Sequence, residues 1–523
     1  MNRIIQTVSI TLLLSILISS CMKTIPKGSL SFGKEPIPRQ QIDAMIKESL
    51  YQNKSFDWKK MDAHVIWSAL QHSDKIMSIG YKPLTENNVE QRLDVVDINQ
   101  LQWKEAKKNL LDLILNAEKK TNDTLILSSI LIWEDHVLPV INIKVENPET
   151  VALLLSSNYV RYAEPMGYEP QHVLKRTVSD SFPVYSATGG SGCDGNAPQY
   201  GLVEGVDYQT IFPATKQSWN YVYHNIPRAW SLSTGAGIKV FFIDTGCGFD
   251  QENLGNAFNQ GSSSKRTVEK IVTFPRATFL GIPTGSVETP EDDCGHGTSM
   301  AGVCAAPRGT DGNACGVAYN CNLVTCRASD DVYLDASREV KGVVDAFVNA
   351  GSRSDVRIIS MSMGRITSSS QIRDAILFAY QKGKLIFCAA GTSFSWTSGW
   401  AGVIFPASMP EVNAVTGVKD NNFFAGCDNC HEGSETDFTI VMEKSINGRK
   451  PLSLAMRGDI PSTVGGSSVS TATAAGIAAL VWSRFPTFTR DQILNKLITS
   501  SANYPRRNVE LGWGNMNAYL AVQ

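Results

Sequence analysis

The sequence predicts an α/β fold: a mainly parallel sheet with helices on both faces, preceded by a smaller α+β domain. Three observations predict it. From residue 219 to the end, short apolar runs alternate with helical patterns, as strands joined by helical crossovers do. The chain of 523 residues, 43% hydrophobic and 19% charged, is long enough for a large core and for more than one folding unit. Ten of the 11 cysteines stand at Cys193 or later, which marks the part before residue 190 as a domain of another character.

Along the chain, Arg3 and the apolar run "VSITLLLSILIS" (8–19) lead to Cys21, a pattern that looks like a bacterial lipoprotein signal. The resemblance implies a signal peptide over 1–20, removed in the mature protein, and a lipid on the Cys21 sulfur, hence export and a membrane anchor. Residues 21–40 then read as a tether. Residues 41–168 form the α+β domain: helix formers to about 120, with "WKEAKKNLLDLILNAEKK" amphipathic, then two strands, "LILSSILIW" and "VLPVINIKV", parted by a turn at Glu134 and Asp135. "NPETVALLLSS" starts a helix with Asn147 as N-cap and Pro148 in its first turn, and "NYVRYAEP" is a closing strand. Residues 169–218, rich in Gly and Ser, read as a linker or a long surface extension. The large domain spans 219–523, with "IKVFFI", "KIVTF", "NLVTCRA", "VRIISMS", "KLIFCAA" and "NAVTGV" as strands and "SSQIRDAILFAYQKG" as a covering helix.

A formal net charge of −2 and a pI near 6.4 give no basic field for nucleic acid, which is not expected as a partner. In an exported chain the ten cysteines beyond Cys21 can form disulfides, whose pairing the sequence leaves open.

The chemistry gathers at strand ends, where ligands collect in parallel sheets. Asp244 follows "IKVFFI" directly, and a carboxylate buried there needs a partner. His296 stands between two glycines in "CGHGTSMAG". Ser468, in "GGSSVSTATAAGIAALV", stands at the start of a small-residue helix, where backbone N–H groups favour a developing negative charge. A serine hydroxyl becomes a nucleophile when an imidazole takes its proton and a carboxylate fixes the imidazole tautomer. Order and motifs together resemble the subtilisin-like serine peptidases over 219–523: "DTG" at Asp244, "HGTSMAG" at His296, "GSSVSTATAAGIAAL" at Ser468, and the landmarks "IISMSMG", "FPASMPEVNAVTGV" and "GWGNMNAYLAV". The resemblance implies a subtilisin-like fold, polypeptide substrates, a catalytic Asp244, His296 and Ser468, and no required cofactor or metal.

Several positions depart from that pattern. Thr392 in "FCAAGTSFS" stands where the family has its oxyanion asparagine, a donor worth on the order of 10²–10³ in turnover, so a functional or weakened oxyanion site is expected, held by Thr392 and the Ser468 backbone N–H. Ser467 replaces a usual Thr, and Ala472 a usual Pro. Ser360, Met361, Ser362, Met363 and Gly364 are similar to the strand that pairs with an extended substrate. "CDNCH" (427–431) fits a haem attachment pattern but falls in a loop, and a Cys427–Cys430 disulfide, or pairing of each elsewhere, is expected instead. Structural calcium, known in relatives, has no compact Asp/Asn loop here, and acids such as Asp250 and Glu252 read as solvated surface. The unit at 125–168 resembles the family's inhibitory propeptide, which makes the N-terminal domain an expected inhibitor of its own chain. The reading is therefore an exported serine endopeptidase whose mature form is released from its anchor by cleavage within the linker. Its rivals are a cell-surface binding protein with weakened turnover and a protease limited to self-processing. Cleavage preference is not legible in residues 389–394.

Overall fold

The structure is a computed structural model that describes residues 35–170, 193, 196–279, 282–392, 402–421, 423 and 425–523. The expected signal peptide, the Cys21 lipidation site, most of the tether and residues 171–192 of the linker lie outside them.

The N-terminal domain carries α1 (Arg39–Asn53), α2 (Ala63–Gln71), β1 (Ile76–Tyr81), α3 (Leu101–Glu118), α4 (Leu127–Ile130), β2 (Leu131–Glu134), β3 (Val140–Lys144), α5 (Pro148–Ser156) and β4 (Val160–Pro165). Its sheet is antiparallel in the order β2-β3-β1-β4. Asn147 caps α5 as expected, its side chain accepting the Glu149 N–H at 3.0 Å behind Pro148. Two expectations need correction. "LILSSILIW" is a helical turn followed by a strand, because Ser129 Oγ bonds both the N–H and the carbonyl of Ile126 and closes the turn locally. The turn after it is held by Asp135, whose Oδ1 accepts the Val137 and Leu138 amides. In addition, β1 lies inside the stretch read as helix formers. All six of its residues are buried, so the alternation that marks a half-buried strand is missing.

The second unit begins earlier than residue 219. A hairpin of β5 (Tyr208–Ile211) and β6 (Thr215–Ser218) stands inside the expected linker, and Cys193 is disulfide-bonded to Cys294. Then follow α6 (Ile226–Ala229), β7 (Lys239–Asp244), β8 (Val268–Val272), a two-residue pair β9 (Thr278–Phe279) and β10 (Ile282–Pro283), α7 (His296–Ala305), β11 (Asn322–Arg327), α8 (Ser337–Ser352), β12 (Ile358–Met361), α9 (Ser370–Gln381), β13 (Leu385–Ala389), β14 (Asn413–Lys419), β15 (Thr436–Glu443), a second small pair β16 (Leu452–Ser453) and β17 (Ser462–Thr463), α10 (Gly466–Arg484), α11 (Arg490–Thr499) and α12 (Ala518–Ala521). Seven strands form one parallel sheet in the order β15-β14-β13-β12-β7-β11-β8.

Alternate residues of β7 separate the two faces of this sheet. Val240 and Phe242 join the cluster that contains α7 and α10, while Phe241 and Ile243 join the one that contains α8, α9 and the N-terminal domain. The N-terminal sheet thus shares a continuous apolar core with α8 and α9, crossed by buried polar contacts. Arg161 pairs with Asp374 at 2.6 Å, and Gln371 accepts from Ser78 and Asn142 at 2.8 Å each. Carboxylates meet both helix starts: Asp74 accepts from Ser337 Oγ at α8, and Glu164 accepts from the Ser370 N–H and Oγ at α9.

Candidate active site

β7 ends on Asp244, which is 1% exposed, and delivers its carboxylate to the C-terminal edge of the sheet. Oδ1 accepts the Thr245 N–H at 2.9 Å and meets His296 Nδ1 at 2.7 Å, while Oδ2 is buried with no partner among the described residues. His296 opens α7 behind Gly295, whose φ of +85° makes the turn. The aim of the imidazole depends on Asp292, which sequence reading missed although it stands in "EDDC" just upstream. Asp292 is fully buried, and its carboxylate accepts from Thr245 Oγ1 (2.8 Å), Gly295 N–H (2.8 Å) and Thr298 N–H (2.8 Å). Thr245 Oγ1 in turn accepts the Gly297 N–H at 3.0 Å. Backbone packing is close as well, since a Cβ on Gly297 would lie 2.3 Å from the Gly246 carbonyl oxygen. The Cys193–Cys294 disulfide closes the approach two residues before His296.

Burial opposes the charged imidazolium of His296, but the Asp244 carboxylate and its hydrogen bond, with Asp292 and Asp331 behind it, outweigh burial and hold the pKa above 6.5. The other two histidines of this unit are unsuited to proton transfer. Burial pushes His224 and His431 down to about 4, and His224 is held between the Met516 carbonyl and the Val441 amide.

Ser468 is the third residue of α10, half-buried, among the amides that the first turn leaves without intrahelical partners. Ser362 Oγ donates to its carbonyl at 3.2 Å and ties the end of β12 to this turn. Ser468 Oγ and His296 are not hydrogen bonded to each other among the described residues, as is common before a substrate is bound. Ser470 is a buried helix residue, as expected.

Thr392 lies next to this turn, but its hydroxyl is engaged. Oγ1 accepts the Ser467 N–H at 3.3 Å and lies 3.2 Å from Ser467 Oγ, which itself accepts the Gly391 N–H. Thr392, the expected oxyanion donor, thus stands at the first turn of α10 with its hydroxyl beside that of Ser467, and either hydroxyl can donate to the other. The expected substrate strand is divided. Ser360 and Met361 are interior residues of β12, paired on both edges with β7 and β13, and have no free edge for a peptide. Ser362, Met363 and Gly364 emerge from the sheet toward Ser468, yet the Gly364 N–H donates to Val332 and its carbonyl accepts from Leu334.

Cys427 and Cys430 are bonded to each other, which leaves neither sulfur for a haem thioether. Among the described residues, no group of three or more Asp, Glu, His or Cys side chains stands together as a metal-binding cluster.

The decisive observation is a match to the family model described as the subtilase family over residues 235–514, with Asp244, His296 and Ser468 inside it. The chain belongs to the subtilase family. This subtilase is 28% identical over 304 residues to a subtilisin of a Bacillus species, covering 55% of this chain and 67% of that one. It is 29% identical over 290 residues to subtilisin E of Bacillus subtilis, with the same coverage of 55% and 67%. Among solved structures, MycP1 from Mycobacterium smegmatis is 21% identical, with a TM-score of 0.45 over 61% of this chain and 88% of that one. Family membership makes the protein a subtilisin-like serine peptidase that acts on polypeptides.

Proposed function

We propose that this subtilase is an exported endopeptidase that works through an acyl-enzyme on Ser468. His296 takes the Ser468 Oγ proton as the Oγ–C bond forms and returns it to the leaving amine, while Asp244 holds the imidazole tautomer and balances its charge. The observation that carries the reading is the 2.7 Å bond between Asp244 Oδ1 and His296 Nδ1 at the strand edge that also presents Ser468. The oxyanion is held by the Ser468 N–H, with Thr392 contributing little. Export is supported by two disulfides, which persist in oxidising compartments.

The N-terminal domain acts as the inhibitor of its own chain. Glu169, near its end, supports this: its carboxylate accepts from Arg365 Nε (2.9 Å), the Ile366 N–H (2.9 Å) and Tyr333 Oη (2.7 Å), all next to the segment that faces Ser468. Cleavage between 171 and 192 separates the peptidase from a lipid on Cys21 and leaves Cys193, bonded to Cys294, with the peptidase. A protease limited to self-processing is the second reading, favoured by the engaged Thr392 hydroxyl.

Turnover on denatured casein tests the proposal. Wild type hydrolyses it over many turnovers, and Ser468→Ala loses at least about 10³-fold of the rate. A single turnover per chain selects the self-processing reading, and equal rates in wild type and Ser468→Ala contradict both.

A further inference from the structure

We infer that this site accepts only a small uncharged side chain, as in Gly, Ala or Ser, on the residue whose carbonyl is attacked, and that Ile404 sets the limit. The inference rests on the peptidase reading of Ser468.

A cavity of about 50 Å³ opens beside Ser468, between Met363 and Gly364 on one side and Ala389 and Gly391 on the other, with Ile404 at its end. When a carbonyl carbon meets Ser468 Oγ and its oxygen faces the first amides of α10, the adjoining Cα is one bond away. The cavity beside Ser468 is within reach of the side chain on that Cα and is the place we assign to it. An engineered protein cavity that takes benzene measures about 150 Å³. A third of that volume suits a methyl or hydroxymethyl group far better than a ring.

The limit is built by three residues acting together. Gly364 and Gly391 leave a slot between two backbone segments, and Ile404 fills its far end. A Cβ on Gly364 would lie 2.6 Å from Ile404 Cδ1, and one on Gly391 would lie 3.1 Å from Ile404 Cγ1. Ile404 is fixed at both ends of its peptide unit, its N–H donating to Ala390 and its carbonyl accepting from Ser408, at 3.0 and 3.1 Å. A β-branched side chain on so fixed a backbone has few rotamers to yield to a larger group. Among the described residues no Asp, Glu, Lys or Arg lines the cavity, so it offers a charged side chain no partner.

The test uses the chain after cleavage between 171 and 192 has relieved it of its N-terminal domain, and peptide p-nitroanilides that differ only in the residue before the anilide. Wild type is expected to prefer Ala over Phe by at least about 30-fold in kcat/KM. Ile404→Ala is expected to raise the Phe substrate at least about 10-fold while the Ala substrate changes less than about 3-fold. Ile404→Val, a milder change in the same direction, gives a smaller gain and covers failure of the first variant to fold. Equal or better cleavage after Phe in wild type, or Ile404 variants that move both substrates alike, overturns the inference. Diphenyl phosphonate esters with a methyl or a benzyl side chain read the same cavity without turnover. Faster labelling of Ser468 by the benzyl ester overturns the inference alone, whereas labelling by neither removes the peptidase reading with it.

Discussion

At Thr392 and His296 the chemistry depends on single atoms. Because the Thr392 hydroxyl is bonded to Ser467, Thr392→Ala is expected to change kcat by less than about 3-fold, whereas Thr392→Asn, with a donor one atom longer, raises it by about 10-fold or more. Initial rates on one peptide substrate check both. His296 must be neutral to act as base, and its pKa lies above 6.5. Activity is therefore present above that pKa and lost as pH falls through it, so kcat/KM against pH shows an acid limb with a midpoint above 6.5. Asp331→Asn removes one of the charges that raise it and moves the midpoint down. The three proposed catalytic residues were legible because each sits in a short motif that local backbone geometry requires. Asp292 was not, because it acts by bonding backbone amides around His296, a role that one acidic residue among several does not announce.

Among the elements, the junction of β4 and α9 is sensitive to pH. Burial against α9 raises the Glu164 pKa to about 7, against the amide and hydroxyl of Ser370 and the charges of Lys59 and Arg365, which lower it. A group raised in the docked state contributes stability that is fully present below its undocked value near 4.5 and is lost as pH rises through about 7. Hydrogen exchange in β4 and α9, corrected for the intrinsic rate, is therefore expected to be slower at pH 5 than at pH 8, and Glu164→Gln flattens the difference. Six strands of the parallel sheet were readable as apolar runs, because a strand covered on both faces needs no alternation. The same property hid β1 among helix formers, and the β5–β6 hairpin was hidden by its mostly polar residues in a Gly-rich stretch.

For the molecule as a whole, the two units are joined by one apolar core with charged pairs inside it. Arg161 and Asp374 have side chains only 3% and 2% exposed, and Tyr162 Oη also donates to Asp374. Asp374→Ala leaves the buried Arg161 guanidinium with only the more exposed Glu90 carboxylate, at 2.8 Å, and is expected to cost about 3 kcal/mol, the low end for a broken buried pair. Replacing both partners by apolar residues recovers most of that loss, and urea unfolding of the full chain measures each. Cysteine counts were less informative. Four of the ten cysteines beyond Cys21 form the two disulfides, and Cys247, Cys304, Cys315, Cys321, Cys326 and Cys388 are free and buried, since pairing follows spatial separation and not parity. The most direct measurement is to cut the chain between 171 and 192, treat the peptidase freed of its N-terminal domain with a fluorophosphonate, and map the modified peptide by mass spectrometry. The account predicts a single adduct on Ser468 that is lost in His296→Ala. An unmodified Ser468 in folded protein treated after its N-terminal domain has been cut away, or an adduct on another serine, would contradict it.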